Sequence, residues 1–313
     1  MEKAHVLVTG GAGYLGSILV PTLLREGYSV TVLDNFYYEQ NSLLDLCADP
    51  NFDVVWGDCR NEKTLETHLK KADVIIPLAA MVGVPVSNRD EISTKTVNYG
   101  AIASLIKLRS KEQKILYPTT NSGYGIGQEG IFCTEETPLN PISLYGQTKV
   151  DAEKALLDDG DAITFRLATL FGMSPRMRID LLVNDFTYRA ITEHYLVLFE
   201  AHFKRNYLHV RDAARAFVHG IKNWESMKNE PYNVGLSDAN LSKRELSEAI
   251  KTFVPKLVIM ENEIGKDPDK RNYIVSNDKI ENTGFKTTHK LEDGIQELIK
   301  GFQILRNTRY GNN

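Results

Sequence analysis

The chain has 313 residues, of which 42% are hydrophobic and 25% charged, with a formal net charge of −4. That length supports one large or two modest domains with ample core, in an ordinary globular composition. The weak negative charge offers no general attraction to nucleic acid or an anionic membrane, and no apolar stretch approaches the roughly 20 residues of a membrane-spanning helix.

Cys47, Cys59 and Cys133 are few and unpatterned, which favours a reducing cytoplasm over a disulfide scaffold or a zinc site. The opening MEKAHVLVTGG lacks the apolar core and cleavage site of a secretion signal. His5, His68, His194, His202, His209, His219 and His289 have no metal-ligand spacing, so no metal is expected. No internal repeat is visible, and the closing RNTRYGNN reads as frayed.

The first half alternates strands and helices. Residues 5–8 form a short apolar run ending at Thr9, and 14–25 carry apolar residues at helical spacing. Pro21 would bend that helix, and Gly27 fits its C-terminal cap. Strands are expected over 28–34, 52–58, 72–80, 114–120 and 162–167. Helices are expected over 62–70, over 98–110 and around Tyr145. Buried strands separated by helices predict an α/β fold with a doubly wound parallel sheet, the Rossmann arrangement.

Beyond Phe171 the strands shorten, with helices expected over 179–193, 210–223 and 243–253. The expected division is a dinucleotide-binding domain over 1–172, with returning segments near 205–235. A smaller α/β substrate lobe would take about 173–204 and 236–313. It would close over the C-terminal edge of the sheet, where ligands of such folds bind.

TGGAGYLG places Gly10, Gly13 and Gly16 between a strand and a helix, the context a dinucleotide site requires. Gly10 permits the tight turn, Gly13 a close backbone approach to a pyrophosphate, and Gly16 close helix packing. The helix N-terminus favours phosphate charge. The next strand ends in Asp34, whose carboxylate would accept both ribose hydroxyls and repel a 2′-phosphate, favouring NAD over NADP. A turn residue before Asn35 is the plainer reading. In SLYGQTKVDAEKA, Tyr145 and Lys149 share one helix face at i, i+4. By itself that spacing is common by chance.

The wide glycine spacing together with Tyr145 and Lys149 resembles the short-chain dehydrogenase/reductase superfamily. The length, TGGAGYLGS and RNYLHVRDAARAF are similar to its extended branch of NAD-dependent nucleotide-sugar epimerases, dehydratases and reductases, from about Val6 to Phe285. The resemblance implies an enzyme with tightly held NAD. It puts Gly10, Gly13, Tyr14, Leu15, Gly16, Asp34 and Asn35 at the cofactor, and Asp58 at the adenine amino group with the Cys59 backbone. It also puts Leu78, Ala79 and Ala80 along the cofactor channel and Asn98 near the active site.

In YPTTNSGYG, Thr120 takes the catalytic Ser/Thr position, with Asn121 and Ser122 toward the substrate. Tyr145 then removes the proton of a sugar hydroxyl while the carbon gives hydride to NAD. Lys149 ammonium and the oxidised nicotinamide lower a phenol pKa that is ordinarily about 10. Thr120 stabilises charge on the same oxygen, and Lys149 also binds the nicotinamide ribose. Asn121 and Ser122 stand where family dehydratases commonly carry acidic residues. The resemblance therefore disfavours 4,6-elimination and leaves 4-oxidation, 4-epimerisation or 4-keto reduction, unless Glu135 or Glu136 enters from the following loop.

Asn184, Arg205 and Arg271 fall at the family's nucleotide-diphosphate contacts. Arg176 and Arg178 in SPRMRID are either a second anion contact or a solvated basic turn. RLATLFGMSPRMRIDLLVNDF is similar to bacterial capsule enzymes that act at C4 of a GDP-linked heptose, which makes a GDP sugar the favoured substrate. Nothing in spacing or charge separates guanine from uracil or thymine. The resemblance also implies a homodimer or higher homo-oligomer formed through the tyrosine-bearing helix and its neighbour, although burial against the chain's own sheet accounts equally well for the apolar residues of that helix. The alternative of another class, an NAD-binding scaffold without turnover, is disfavoured by the presence of both Tyr145 and Lys149.

Overall fold

Seven strands set the frame in this computed structural model, which describes residues 4–39, 41–262 and 271–305. RNTRYGNN, expected to fray, lies outside the described residues. The strands are β1 (His5–Thr9), β2 (Ser29–Asp34), β3 (Phe52–Trp56), β4 (Val74–Pro77), β5 (Lys114–Thr120), β6 (Ala162–Leu167) and β7 (Glu230–Val234). They lie parallel in the order β7-β6-β5-β4-β1-β2-β3. Side chains alternate between faces, so Val6 and Val8 enter one core while Leu7 enters the other. Cover on both faces explains why the central strands read as unbroken apolar runs.

Most expected elements stand close to their predicted bounds. The first helix is α1 (Gly16–Arg25), shorter than 14–25 because the glycine turn occupies the preceding residues; Pro21 lies inside it. The region predicted as a helix over 98–110 is helical from Glu91–Lys95 through a π-helical turn at Thr96–Gly100 to Ala101–Leu108. Asn98, expected near the helix start, instead sits inside the π-turn.

After β6, Thr169–Phe171, Lys204–His209 and Asn240–Ser242 form a three-stranded sheet. Tyr195–Phe199 pairs with Val258–Asn262, and Phe132–Cys133 with Ile274–Val275. The expected helices appear as Leu182–Thr192, Val210–Lys222 and Lys243–Phe253. A further helix, Leu291–Ile304, packs Leu291, Ile295, Leu298 and Phe302 into the larger core. Among the described residues no helix is long and apolar enough to cross a membrane, and no His/Cys/Asp/Glu group is placed to hold a metal ion.

Candidate active site

The glycine turn is shaped by a close approach. Gly10 has φ +72°, and a Cβ there would lie 2.5 Å from the Ala79 backbone nitrogen. Only glycine satisfies both conditions. Asp34 closes the same turn: its Oδ2 accepts the Ala12 N–H at 2.9 Å and its Oδ1 the Phe36 N–H at 2.7 Å. Burial raises the Asp34 pKa against those bonds and the Arg176 charge.

A cavity of ≈ 840 Å³ runs from this turn past the C-terminal end of β5 to the second lobe. All of the residues expected at the cofactor border it except Asn98. All of those expected at the substrate border it except Asn121 and Asn184.

These three asparagines point elsewhere. Asn98 accepts the Met81 N–H at 2.8 Å and donates to Met81 O and Thr148, tying the π-turn to the segment after β4. Asn184 accepts the Gly172 N–H at 3.1 Å and donates to Arg178 O at 2.8 Å and to the Tyr14 hydroxyl at 3.3 Å. It is a buried link to the glycine turn and does not border the cavity, because its place in the helix Leu182–Thr192 turns it inward. Asn121 is also buried, and its amide makes no hydrogen bond among the described residues. Tyr14 borders the cavity while its hydroxyl donates to Gly172 O at 2.6 Å.

The reactive end is built from β5 and the helix α2 (Leu144–Asp159). Ser143 caps that helix by accepting the Gly146 N–H at 3.1 Å, which sets Tyr145 in the first turn. Thr120 donates to Ser122 Oγ at 2.9 Å, and Arg271 also donates to that oxygen. Burial raises the Tyr145 pKa, opposed by the charges of Arg178 and Arg271 and by hydrogen bonding with Thr120.

Lys149, expected beside the phenol, is buried against Tyr117. Its Nζ lies 3.8 Å from the centre of the Tyr117 ring, and burial drives its pKa down to about 7. Glu153 opposes that shift, but its carboxylate is held by Arg166 at 2.7 Å across to β6. The Lys149 ammonium makes no hydrogen bond among the described residues.

Arg178 is the residue the sequence reading undervalued. It is largely buried rather than solvated, paired with Asp180 at 2.5 Å. Arg176 is buried as well, its guanidinium carbon 3.9 Å from the centre of the Tyr38 ring. The aromatic run Phe36-Tyr37-Tyr38 after Asp34 was the signal available for that contact.

Glu135 is engaged elsewhere, accepting the Asn233 N–H at 2.7 Å, and neither Glu135 nor Glu136 borders the cavity. Asp58 pairs with Arg60 at 2.5 Å, and the Arg60 guanidinium holds its carboxyl low. The Cys59 thiol is pushed up to about 12 by burial, so it stays protonated.

A parallel sheet with a glycine turn at its C-terminal edge, opening into a cavity also lined by residues that follow β6, defines a dinucleotide-dependent enzyme. The residues present fit NAD: a backbone cradle at Gly10, a carboxylate at Asp34, and a buried ammonium at Lys149. Residues 6–235 match the NAD dependent epimerase/dehydratase family, and the chain belongs to it. It is an NAD-dependent enzyme of this nucleotide-sugar epimerase/dehydratase family, within the extended short-chain dehydrogenase/reductases.

Among curated proteins, it is 28% identical to the low-salt glycan biosynthesis protein Agl12 of Haloferax volcanii, over 94% of this chain and 97% of that protein. It is 26% identical to the UDP-glucose 4-epimerase of Lactobacillus helveticus, over 93% of this chain and 94% of that protein. Among solved structures, dTDP-glucose 4,6-dehydratase from Bacillus anthracis in complex with NAD superposes with TM-score 0.84 at 25% identity, covering 99% of each chain.

Proposed function

We propose that the chain oxidises the 4-hydroxyl of a nucleotide-diphosphate sugar, with Thr120, Tyr145 and Lys149 as its catalytic residues. The observation that carries this reading is the Tyr145 phenol on the same cavity wall as Thr120, with Thr120 and the charges of Arg178 and Arg271 favouring its ionised form.

NAD, which the glycine turn at Gly10 and Asp34 would hold, would supply the hydride acceptor for the sugar carbon. Tyr145 takes the proton of the sugar hydroxyl as general base. Burial works against the phenolate, and the two guanidinium charges with the Thr120 hydroxyl work for it. Thr120 also hydrogen-bonds the substrate oxygen. Lys149 offers its ammonium to the nicotinamide ribose hydroxyls, and those bonds favour its charged form. The guanidinium forks of Arg205 and Arg271 take the diphosphate. Asn121 and Ser122 carry no carboxylate behind Thr120, which weighs against 4,6-dehydration.

Within this class we read the substrate as a GDP-linked heptose and the reaction as its C4 oxidation in cytoplasmic capsule synthesis. The likeness of RLATLFGMSPRMRIDLLVNDF to enzymes of that chemistry supports this. The same residues would serve a 4-epimerase or 4-keto reductase, and the Lactobacillus helveticus relative favours the epimerase as the second reading. We place a homodimer contact on the helix Leu144–Asp159.

Purified protein is incubated with GDP-heptose, UDP-glucose and dTDP-glucose, and products are read by mass spectrometry and NMR. A GDP-linked 4-keto sugar formed with NADH is the expected outcome. A C4 epimer assigns epimerisation, and a 4-keto-6-deoxy product overturns the proposal. Tyr145→Phe should lower turnover by about 10²–10⁴-fold without releasing NAD; an unchanged rate would remove Tyr145 from catalysis.

A further inference from the structure

Asp185 is a cavity-wall carboxylate that neither the glycine turn nor the Thr120–Tyr145–Lys149 group uses. It stands in the first turn of the helix Leu182–Thr192 and borders the same cavity as Arg205 and Arg271. No donor among the described residues hydrogen-bonds its side chain. The neighbouring cations are engaged: Arg189 pairs with Glu193 at 3.2 Å, and Arg178 with Asp180 at 2.5 Å. Burial raises the Asp185 pKa to about 6, with only Arg189 opposing it. A partly buried carboxylate without a donor is costly, and a ligand that brings donors would repay it.

Placement narrows which part of a nucleotide sugar that is. The charges acting on Tyr145 are those of Arg178 and Arg271, and those acting on Asp185 are Arg189, Glu193 and Asp180. Thr120 and Tyr145 border the cavity from β5 and the helix Leu144–Asp159, whereas Asp185 borders it from the helix Leu182–Thr192. A carboxylate also repels a diphosphate. Its partner is then a neutral donor group, and the bases differ most in the donors they offer.

Chemistry separates the bases. A carboxylate presents two adjacent acceptors and no donor when ionised. Guanine alone among the common bases presents two adjacent donors, N1–H and N2–H₂, on one edge. Uracil and thymine present a single N–H between two carbonyl oxygens, which would face the carboxylate lone pairs. We propose that Asp185 reads the N1–H and N2–H₂ edge of guanine and so selects a guanosine diphosphate sugar. This rests on the reading of the cavity as a nucleotide-sugar site, but not on the identity of the sugar.

The test is calorimetry on the NAD-loaded full chain with GDP, inosine diphosphate, which lacks the 2-amino group, and UDP. A charge-assisted hydrogen bond contributes about 1.5–3 kcal/mol, or roughly 10–100-fold. Wild type should bind GDP at least about tenfold tighter than inosine diphosphate and tighter still than UDP. Asp185→Asn should lose roughly 10–100-fold for GDP while UDP binding holds or tightens, because its amide offers one donor and one acceptor. Asp185→Ala should lose GDP affinity without gaining UDP. Retained NAD and a melting temperature no lower than that of wild type report that both variants fold.

An equal loss for GDP and UDP would assign Asp185 to the ribose and overturn base reading. Unchanged GDP affinity in both variants, or a wild-type preference for UDP, overturns it as well while leaving the nucleotide-sugar reading intact. Wild type that binds no nucleoside diphosphate removes that reading and this inference together.

Discussion

The ammonium nitrogen of Lys149 lies 3.8 Å from the centre of the Tyr117 ring, on the same helix that presents Tyr145 to the cavity. Attraction to the ring face returns only part of what burial costs a lysine charge. The result is a pKa lowered to about 7.

That value ties stability to pH. The folded pKa of about 7 lies below the ordinary 10.5, so between them the unfolded chain holds the extra proton and stability rises with pH. Lys149→Met removes this dependence. NAD-free variant should melt above wild type near pH 6, by on the order of 5 °C. The gap should close as pH rises from about 7 toward 10.5. Thermal melts across that range check it, and a gap independent of pH contradicts the assignment.

Arg178 is the foremost positive charge that favours the Tyr145 phenolate. Arg178→Gln keeps a donor for Asp180 but removes the charge. If Tyr145 acts as the base, the rise of kcat/KM with pH should move upward by about one unit. A profile of kcat/KM against pH for both proteins decides this; a loss of rate with no shift of the limb would make Arg178 a packing residue.

Arg176 from the second lobe stacks on Tyr38 from the loop after β2, with its guanidinium carbon 3.9 Å from the ring centre. Both residues border the cavity, as does Asp34, on which Arg176 acts electrostatically. The stack closes one side of the dinucleotide site, and such a pair contributes about 0.5–2 kcal/mol. Tyr38→Ala should raise the NAD dissociation rate roughly tenfold, measured by chase with labelled NAD. An unchanged rate would show that the stack does not retain the dinucleotide.

Much of the frame was legible because it is encoded by neighbours in the chain. The parallel strands announced themselves as apolar runs, since burial on both faces demands it. Lys243–Phe253 matched its predicted bounds because Ser242 and Glu245 form a capping box. The 98–110 helix was mis-started because nothing local marks a π-turn, which here is held by Asn98 bonding to Met81 and Thr148. The strand Glu230–Val234, which completes the sheet beside β6, was not singled out for a similar reason. Its partner lies far back in the sequence.

The site divides along the same line. Turn geometry is local, so Gly10, Gly13, Gly16 and Asp34 were readable as one device, and the i, i+4 pairing of Tyr145 with Lys149 needed only a helix. Where long polar side chains end was not readable. Asn98, Asn121 and Asn184 looked like ligands and do not border the cavity, while Arg178, open between an anion contact and a solvated turn, is buried on the cavity wall and acts on Tyr145. Hydrogen bonds are satisfied by whichever groups the packing brings near. The charge felt by a phenol depends on distances between β5, the Tyr145 helix and a lobe that are remote in sequence. Amino-acid order alone pointed to strands β1 to β6, the glycine turn and the family. Only the tertiary structure decided which cations act on Tyr145, because Coulomb energy follows separation in space.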